Sequence, residues 1–422
     1  MAARVVGAVA VAAYLLWKLL KTNEEDTGDR TTLVPESSAA FHAARRRSGS
    51  SLQCVLADFV EMKLGVSGKE KHEVLQASIQ VATRLRKELQ KSVSLFKFPK
   101  DPEQIGSSSD GTMIQRKGDC DYLLHLEIPS SFFSGSTQLG HTGEGYHTVK
   151  LVSPSQEMKK LTVTVTEEGF VFKSEYHCLS PLKVHAFLLG AIDKVVNKLP
   201  GVGRIVSVRH VSHQAGPALK FKVTYGTSDG GNNTFDMDLV PCFTIDGKQL
   251  VGKRHPSQPD YHLVTRRTRD NQETLRWRQG YSSEERDAIE PLDQGDGGWS
   301  KKVYRLVKYL RYHQPQFRKF SSYIYKTVFL YLLDEYRYPS EWREQKLATR
   351  FMDFMKKLEV IFEKGELNHY FLLKHDGIRR NLLQPDEDQY QIDEFYNFLR
   401  RANRGGEKAW AQLFVDLYEK GY

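Results

Sequence analysis

Hydrophobic positions change period along this chain, and the changes divide it. In "LQCVLADFVEMKL" (52–64) and "KEKHEVLQASIQVATRLRKELQKSVSLF" (69–96) apolar residues recur every three or four positions, the spacing of one helix face. The longer run predicts a helix with Val74, Leu75, Ile79, Ala82, Leu85 and Leu89 on its apolar stripe. Lys69, Lys71, Arg84, Lys87 and Lys91 fall on its opposite, basic face. From 119 to about 252 the pattern becomes β-branched and aromatic runs bounded by Gly, Ser, Pro and Asn: "DYLLHLEIP", "YHTVKLV", "KLTVTVT", "GFVFKSEYH", "ALKFKVTYG" and "TFDMDLVPCFTI". One helical segment, "LKVHAFLLGAIDKVVNKL", interrupts these strands. After the charged, Gly-rich "DQGDGGW" the helical period returns and holds to the C-terminus. Helix, mixed sheet, then helices predicts an α+β lobe joined to an all-α lobe.

The N-terminus has a different character. "VVGAVAVAAYLLW" (5–17) is uncharged and apolar but shorter than the roughly 20 residues of a spanning helix. Extended through Leu20, with Lys18 reaching to the interface, it becomes long enough to anchor in a membrane. A cleaved secretory signal is the alternative, although Tyr14, Leu15, Leu16, Trp17 and Lys18 replace the usual small-residue cleavage region. Lysines after the run favour keeping the bulk of the chain in the cytosol. The expected organisation is an anchor helix (1–21), a linker (22–50) containing Arg45, Arg46 and Arg47, a core (51–290) and a helical lobe (291–422).

Composition adds limits. At 40% apolar and 11% aromatic residues the chain has the makeup of a folded protein. A net charge of +9 permits an anionic partner without identifying one. Cys54, Cys120, Cys178 and Cys242 lie far apart, with no Cys-x-x-Cys, which excludes a local zinc module.

The candidate chemistry lies in "IGSSSDGTMIQRKGDCDYLLHLEIP" (105–129). Residues two apart on a strand project from the same face, so Asp119 and Asp121 present paired carboxylates. Such a pair repels itself unless a cation intervenes, and hard oxygen donors suit Mg2+ or Mn2+. A third carboxylate would complete a clamp for phosphoryl transfer. "NTFDMDLVPCF" supplies Asp236 and Asp238, of which Asp238, heading an apolar run, is the better candidate. Upstream, Gly106–Ser107 offers a turn whose backbone N–H groups and hydroxyl could hold a triphosphate.

These landmarks together resemble the male abnormal 21 family of nucleotidyltransferase-fold proteins, which includes cyclic GMP-AMP synthase. The resemblance covers the chain from about residue 52. It rests on "GSSSDG…DCDYLLHLEIP", "DMDLVPCF", "LRWRQGYSSEER" and "LVKYL…FSSYIYKT". It implies a nucleotidyltransferase lobe with a mixed sheet and a long N-terminal helix, followed by the all-α lobe. By position it implies phosphate contacts from Gly106 and Ser107 and metal binding by Asp119, Asp121 and Asp238. It also implies nucleotide contacts from Arg278, Glu285, Lys308, Ser322 and Tyr323. ATP and GTP would be the substrates, Mg2+ or Mn2+ the cofactor and a cyclic dinucleotide the product, in innate immune signalling. Double-stranded RNA or DNA would activate through Lys69, Arg84, Lys87 and Lys91, and a homodimer is a further expectation. Gly280 replaces a serine of the family pattern, and the helical lobe lacks the family's His/Cys insertion, so no structural zinc is expected. The hydrophobic N-terminus resembles the mitochondrial-dynamics branch, which is anchored in the outer membrane and has lost the acidic residues retained here. The corresponding location is the mitochondrial outer membrane or the endoplasmic reticulum. A non-catalytic, nucleotide-binding receptor or adaptor that recruits protein partners is the alternative function.

Overall fold

In the computed structural model the described residues are 51–64, 68–114, 119–129, 137–141, 145–168, 173–201, 203–211, 218–245, 261–265 and 275–420. The expected anchor and linker lie outside them, and among them no helix is long and apolar enough to cross a membrane.

The first helix, α1 (Leu52–Lys63), is capped by Ser51, whose hydroxyl accepts from the Cys54 amide. The second, α2 (Gly68–Ser92), begins the sheet lobe. There follow β1 (Glu103–Ile105), the single turn α3 (Gly106–Ser109), β2 (Asp119–Leu126), β3 (Thr137–His141), β4 (Tyr146–Leu151), β5 (Thr162–Glu168) and β6 (Lys173–Leu179). Helix α4 (Pro181–Val195) then leads to β7 (Ile205–His210), β8 (Leu219–Gly226), β9 (Asn232–Ile245), β10 (Tyr261–Val264) and β11 (Trp277–Gly280). These strands form one sheet in the order β1-β2-β9-β10-β11-β4-β6-β5, with β3 beside β4 and the β7–β8 pair attached through β8 to β9.

The pairing that matters most is β2 with β9. They run parallel, whereas every other ladder between described strands is antiparallel. One face of β2 carries Cys120, Tyr122, Leu124 and Leu126 into the main core. There they meet Val81, Leu85 and Leu89 of α2, Leu188 and Ile192 of α4, and Met237 and Leu239 of β9. Ser78 and Tyr122 hydrogen-bond at 2.7 Å within this core, so neither hydroxyl is left unmet. Leu123 faces the other way, into a small cluster with Ile105, Cys242 and Val264.

The stripe expected on α2 needs one correction. Ile79 is 44% exposed, while Ala77, Ser78 and Val81 are buried. At 100° per residue Ile79 lies about 140° around the helix from Val74, beyond the stripe that Val74, Val81, Leu85 and Leu89 define.

The helical lobe opens with α5 (Ser282–Ile289), α6 (Trp299–His313), α7 (Ser322–Glu335) and α8 (Leu347–Lys364), and closes with α9 (Gly406–Glu419). Chain order puts α1 in the 51–290 segment, but its packing puts it with these helices. Phe59 meets Tyr309 at 4.8 Å and Phe414 at 5.0 Å between ring centroids, both edge to face. The Tyr418 hydroxyl reaches Met62 Sδ at 3.7 Å. The aromatic-rich C-terminal sequence therefore forms core, with Trp410 and Phe414 fully buried.

Candidate functional site

Parallel register aligns Asp119 with Asp236 and Asp121 with Asp238. Paired residues of adjacent strands project to the same side, so the four carboxylates share one face, at the N-terminal end of β2 and midway along β9. Asp238 stands level with the more buried Asp121. Asp236 stands level with the exposed Asp119, has a side chain 56% exposed, and faces Lys222 at 3.9 Å.

The carboxylates feel one another. Burial, then Asp238 and Asp119, push the Asp121 carboxyl up to about 7. Burial, then Asp238 and Asp236, raise Asp119. Lys220, opposite Asp238 on β8, supplies the nearest compensation: its Nζ donates to Asp238 Oδ2 at 2.8 Å. Burial alone would lower the lysine pKa, but the hydrogen bond and charge of Asp238, with Asp119 and Asp121, outweigh burial and raise it. The Tyr312 hydroxyl reaches Asp119 Oδ2 at 3.5 Å, the outer limit of a hydrogen bond.

Gly106 and Ser107 are brought to the acid cluster, as the sequence pattern expects. Gly106 has φ +70°, and a Cβ there would collide with Asp121 Oδ2. Both the backbone conformation and the close approach require glycine. Ser107 follows as the second residue of α3, part-exposed, while the Ser109 hydroxyl donates to Gly106 O at 3.0 Å.

A second layer joins the lobes behind the acids. Lys326 of α7 donates to Glu285 Oε2 at 3.1 Å and to Asp110 Oδ2 at 3.3 Å, with Asp110 almost fully buried. Burial would lower the Lys326 pKa, but Glu285 and Asp110 overcome it and hold the ammonium charged. Lys308 of α6 donates to the Thr112 carbonyl at 3.0 Å, and burial pulls its pKa down to about 8. Glu285 and Lys308, expected to touch nucleotide, are thus engaged within the protein between the lobes. Tyr323 is tethered too, its hydroxyl 3.0 Å from His369 Nε2. Burial, with Arg380 and Arg278 nearby, takes His369 down to about 3, so its ring is neutral at physiological pH. Nδ1 of that ring accepts from the Leu372 amide, which leaves Nε2–H to donate to Tyr323 and directs the tyrosine proton toward Glu285.

Arg278 is part-buried on β11, close enough for its charge to act on Tyr323 and His369. Ser322 is exposed in the first turn of α7, but the capping hydroxyl is that of Ser321, which accepts from the Tyr323 amide at 3.2 Å. On α2 the basic face is partly neutralised. Arg84 and Lys91 both reach Glu88, at 3.2 and 3.0 Å, while Lys69 and Lys87 are exposed.

Lys220, Asp110, Lys326, Tyr312 and His369 escape a reading by motif. Asp110 and Lys326 do sit inside quoted motifs, "GSSSDG" and "YIYKT", and their opposite charges were the available signal. Lys220 becomes a partner of Asp238 only through strand register.

The Mab-21 protein HhH/H2TH-like domain family matches residues 299–399. Three proteins called cyclic GMP-AMP synthase-like receptor are similar to this chain. The one from Ctenocephalides felis is 20% identical over 341 residues, 73% of this chain and 74% of the relative. That from Nicrophorus vespilloides is 26% identical over 260 residues, 60% of this chain and 66% of the relative. That from Lucilia cuprina is 24% identical over 328 residues, 75% of this chain and 82% of the relative. These matches, with the mixed sheet and helical C-terminal region, support a Mab-21, cyclic GMP-AMP synthase-like nucleotidyltransferase family. They give no support to the mitochondrial-dynamics branch.

Proposed function

We propose that this chain is a nucleotidyltransferase that joins ATP and GTP into a cyclic dinucleotide: each of two hydroxyls attacks an α-phosphate and a pyrophosphate leaves at each step. The observation that carries the reading is the register of β2 against β9, which gathers Asp119, Asp121 and Asp238 beside the Gly106–Ser107 turn. Asp119 and Asp121, raised first by burial and then by the neighbouring carboxylates, and only partly matched by Lys220, fit a hard divalent cation. Asp119, Asp121 and Asp238 would hold Mg2+ or Mn2+, which supplies charge neutralisation at the transferring phosphate. The Gly106–Ser107 turn presents N–H and hydroxyl groups to the donor phosphates. Asp238 sits beside the attacking hydroxyl and receives its proton. Tyr323, fixed at its hydroxyl by His369, offers its ring to a base, and Arg278 lends positive charge next to it.

The relatives' names support a role in innate immune sensing. In that role, double-stranded RNA or DNA binds along Lys69, Arg84, Lys87 and Lys91, and the chain acts as a homodimer. A tether through residues 1–21 places the folded unit on the cytosolic side of the mitochondrial outer membrane or the endoplasmic reticulum. Imaging a tagged chain with and without those residues tests the tether, and unchanged diffuse signal in both sinks it.

One observation favours a second reading, a nucleotide-binding receptor or adaptor without turnover: Glu285 and Lys308 are committed to partners inside the protein. Incubating the full chain with ATP, GTP, Mg2+ or Mn2+ and double-stranded RNA or DNA separates the two. A cyclic dinucleotide seen by mass spectrometry, and lost in Asp119→Ala plus Asp121→Ala, supports the enzyme. Nucleotide binding with no product under any activator supports the receptor.

A further inference from the structure

The face of β2 that carries Asp121 carries His125 four residues on, about 13 Å along the strand. His125, Cys242 of β9 and His262 of β10 are 1%, 0% and 4% exposed, and one donor atom from each lies within 4.8 Å of the others. Cys242 Sγ stands 3.6 Å from His125 Nδ1. A tetrahedral zinc with bonds of about 2.3 Å to sulfur and 2.0–2.1 Å to nitrogen separates those two donors by roughly 3.6 Å.

The outer nitrogen of His125 faces the Glu103 carboxylate directly, and that of His262 is linked to it through Ser283. Ser283 donates to Glu103 Oε1 at 3.0 Å, so its hydroxyl proton is committed, and at 3.2 Å it accepts from His262 Nε2–H. Glu103 Oε2 lies 3.4 Å from His125 Nε2, an electrostatic contact outside good hydrogen-bond geometry that still favours the proton on that nitrogen. Arg286 holds the same carboxylate at 3.0 Å. Both Nδ1 atoms are thereby left as lone pairs, and both turn toward the Thr244 hydroxyl, at 2.9 Å from His125 and 3.5 Å from His262. A carboxylate that orients ligating imidazoles from behind is the usual outer support of a metal site. Thr244 is exposed, so solvent and ions reach the cluster from its side.

We propose that His125, Cys242 and His262 form a structural Zn2+ site with an exchangeable fourth position on the Thr244 side. Two imidazoles and a thiolate select a soft or borderline ion and disfavour Mg2+, so the site is chemically distinct from the acid cluster. On binding, the S–Zn bond forms and the thiol proton passes to solvent. The ion staples β2, β9 and β10, and so holds the β2–β9 register on which Asp121 and Asp238 depend. Local cysteine spacing excludes zinc in sequence, but His125 and Cys242 are 117 positions apart and only the sheet unites them.

The test uses the full chain, stripped by chelation, with Co2+ as a spectroscopic substitute. The expected result is one thiolate-bound Co2+ per chain, read from a thiolate charge-transfer band and tetrahedral d–d bands that one equivalent of Zn2+ displaces, apart from any Co2+ held by the acid cluster. The bands persist in Asp119→Asn plus Asp121→Asn, which separates this site from the acid cluster. Cys242→Ala loses the charge-transfer band and at least about a hundredfold in zinc affinity, and zinc no longer raises its Tm. Should Cys242→Ala not fold, His262→Gln and the wild-type spectrum carry the test. Absence of the charge-transfer band in the wild type overturns the proposal, as does equal zinc affinity in Cys242→Ala. Copper retained in place of zinc on purification also overturns it.

Discussion

Two clusters of charge lie close together in this molecule, and they are built on opposite plans. Where β2 begins beside β9, the cluster of four carboxylates, Asp119, Asp121, Asp236 and Asp238, is ion-paired, among the described residues, with Lys220 and Lys222, and feels Lys308 and Lys326 through space. Between the lobes, Asp110 and Glu285 share Lys326, with Lys308 alongside, so opposite charges balance. The balanced cluster is satisfied by the protein itself and fixes one lobe against the other. The acid-rich cluster is left electrostatically incomplete: burial, and after it the charges of Asp238 and Asp119, lift the Asp121 carboxyl to about 7. Incompleteness is what a cation-binding site requires before its cation arrives.

Breaking the balanced cluster has the largest expected effect. Lys326→Met strands Asp110 and Glu285 in the interior, and chemical denaturation should register a loss of about 3–5 kcal/mol. Adding Asp110→Asn and Glu285→Gln should restore most of it, since the penalty comes from unpaired charge. Gly106→Ala comes next, with a loss of about 2 kcal/mol from a left-handed backbone and the collision with Asp121. The same substitution should abolish product formation if the turn holds phosphates.

Asp121→Asn should act in the opposite direction. With its folded pKa near 7 against 3.8 for the free group, Asp121 retains a proton that the unfolded chain has lost. Its contribution is full below 3.8 and disappears as pH rises to about 7. The metal-free wild type should therefore lose Tm across that window relative to Asp121→Asn. At pH 7.5 the variant should be the more stable by about 1 kcal/mol, because a repelling charge is gone. A steeper slope in the variant would contradict the assignment. The smallest effect is expected for Lys220→Met. Removing the competing ammonium should tighten Mg2+ binding several-fold, about 0.5–1 kcal/mol by titration calorimetry. Weaker binding would mean that Lys220 positions Asp238 more than it blocks it.

The acids were legible because a two-residue spacing on a strand reports a shared face directly, and "DLVP" marked the second strand. Each of the six predicted strand runs overlaps a described strand, and these runs, the interrupting helix and the helical lobe are legible from period alone. What escaped depends on register between distant segments. Nothing local joins Lys220 to Asp238, Lys326 to Asp110, or α1 to α9. The roles expected of Glu285 and Lys308 come from position within motifs, and motif position does not reveal that Lys326 and the Thr112 carbonyl already engage them. The basic face of α2 was read from helical period, which could not anticipate that buried Glu88 draws in Arg84 and Lys91.

The placement of α1 has a consequence for dissecting the molecule. Among the described elements α1 packs with the helical lobe, α2 to β11 build the sheet lobe, and α5 to α9 complete the helical one. Phe59 of α1 lies between Tyr309 and Phe414, so the helical lobe draws part of its core from the far side of the sheet lobe in sequence. A single cut after β11 does not release it whole; a fragment that begins at α5 leaves those two rings without the one they pack on.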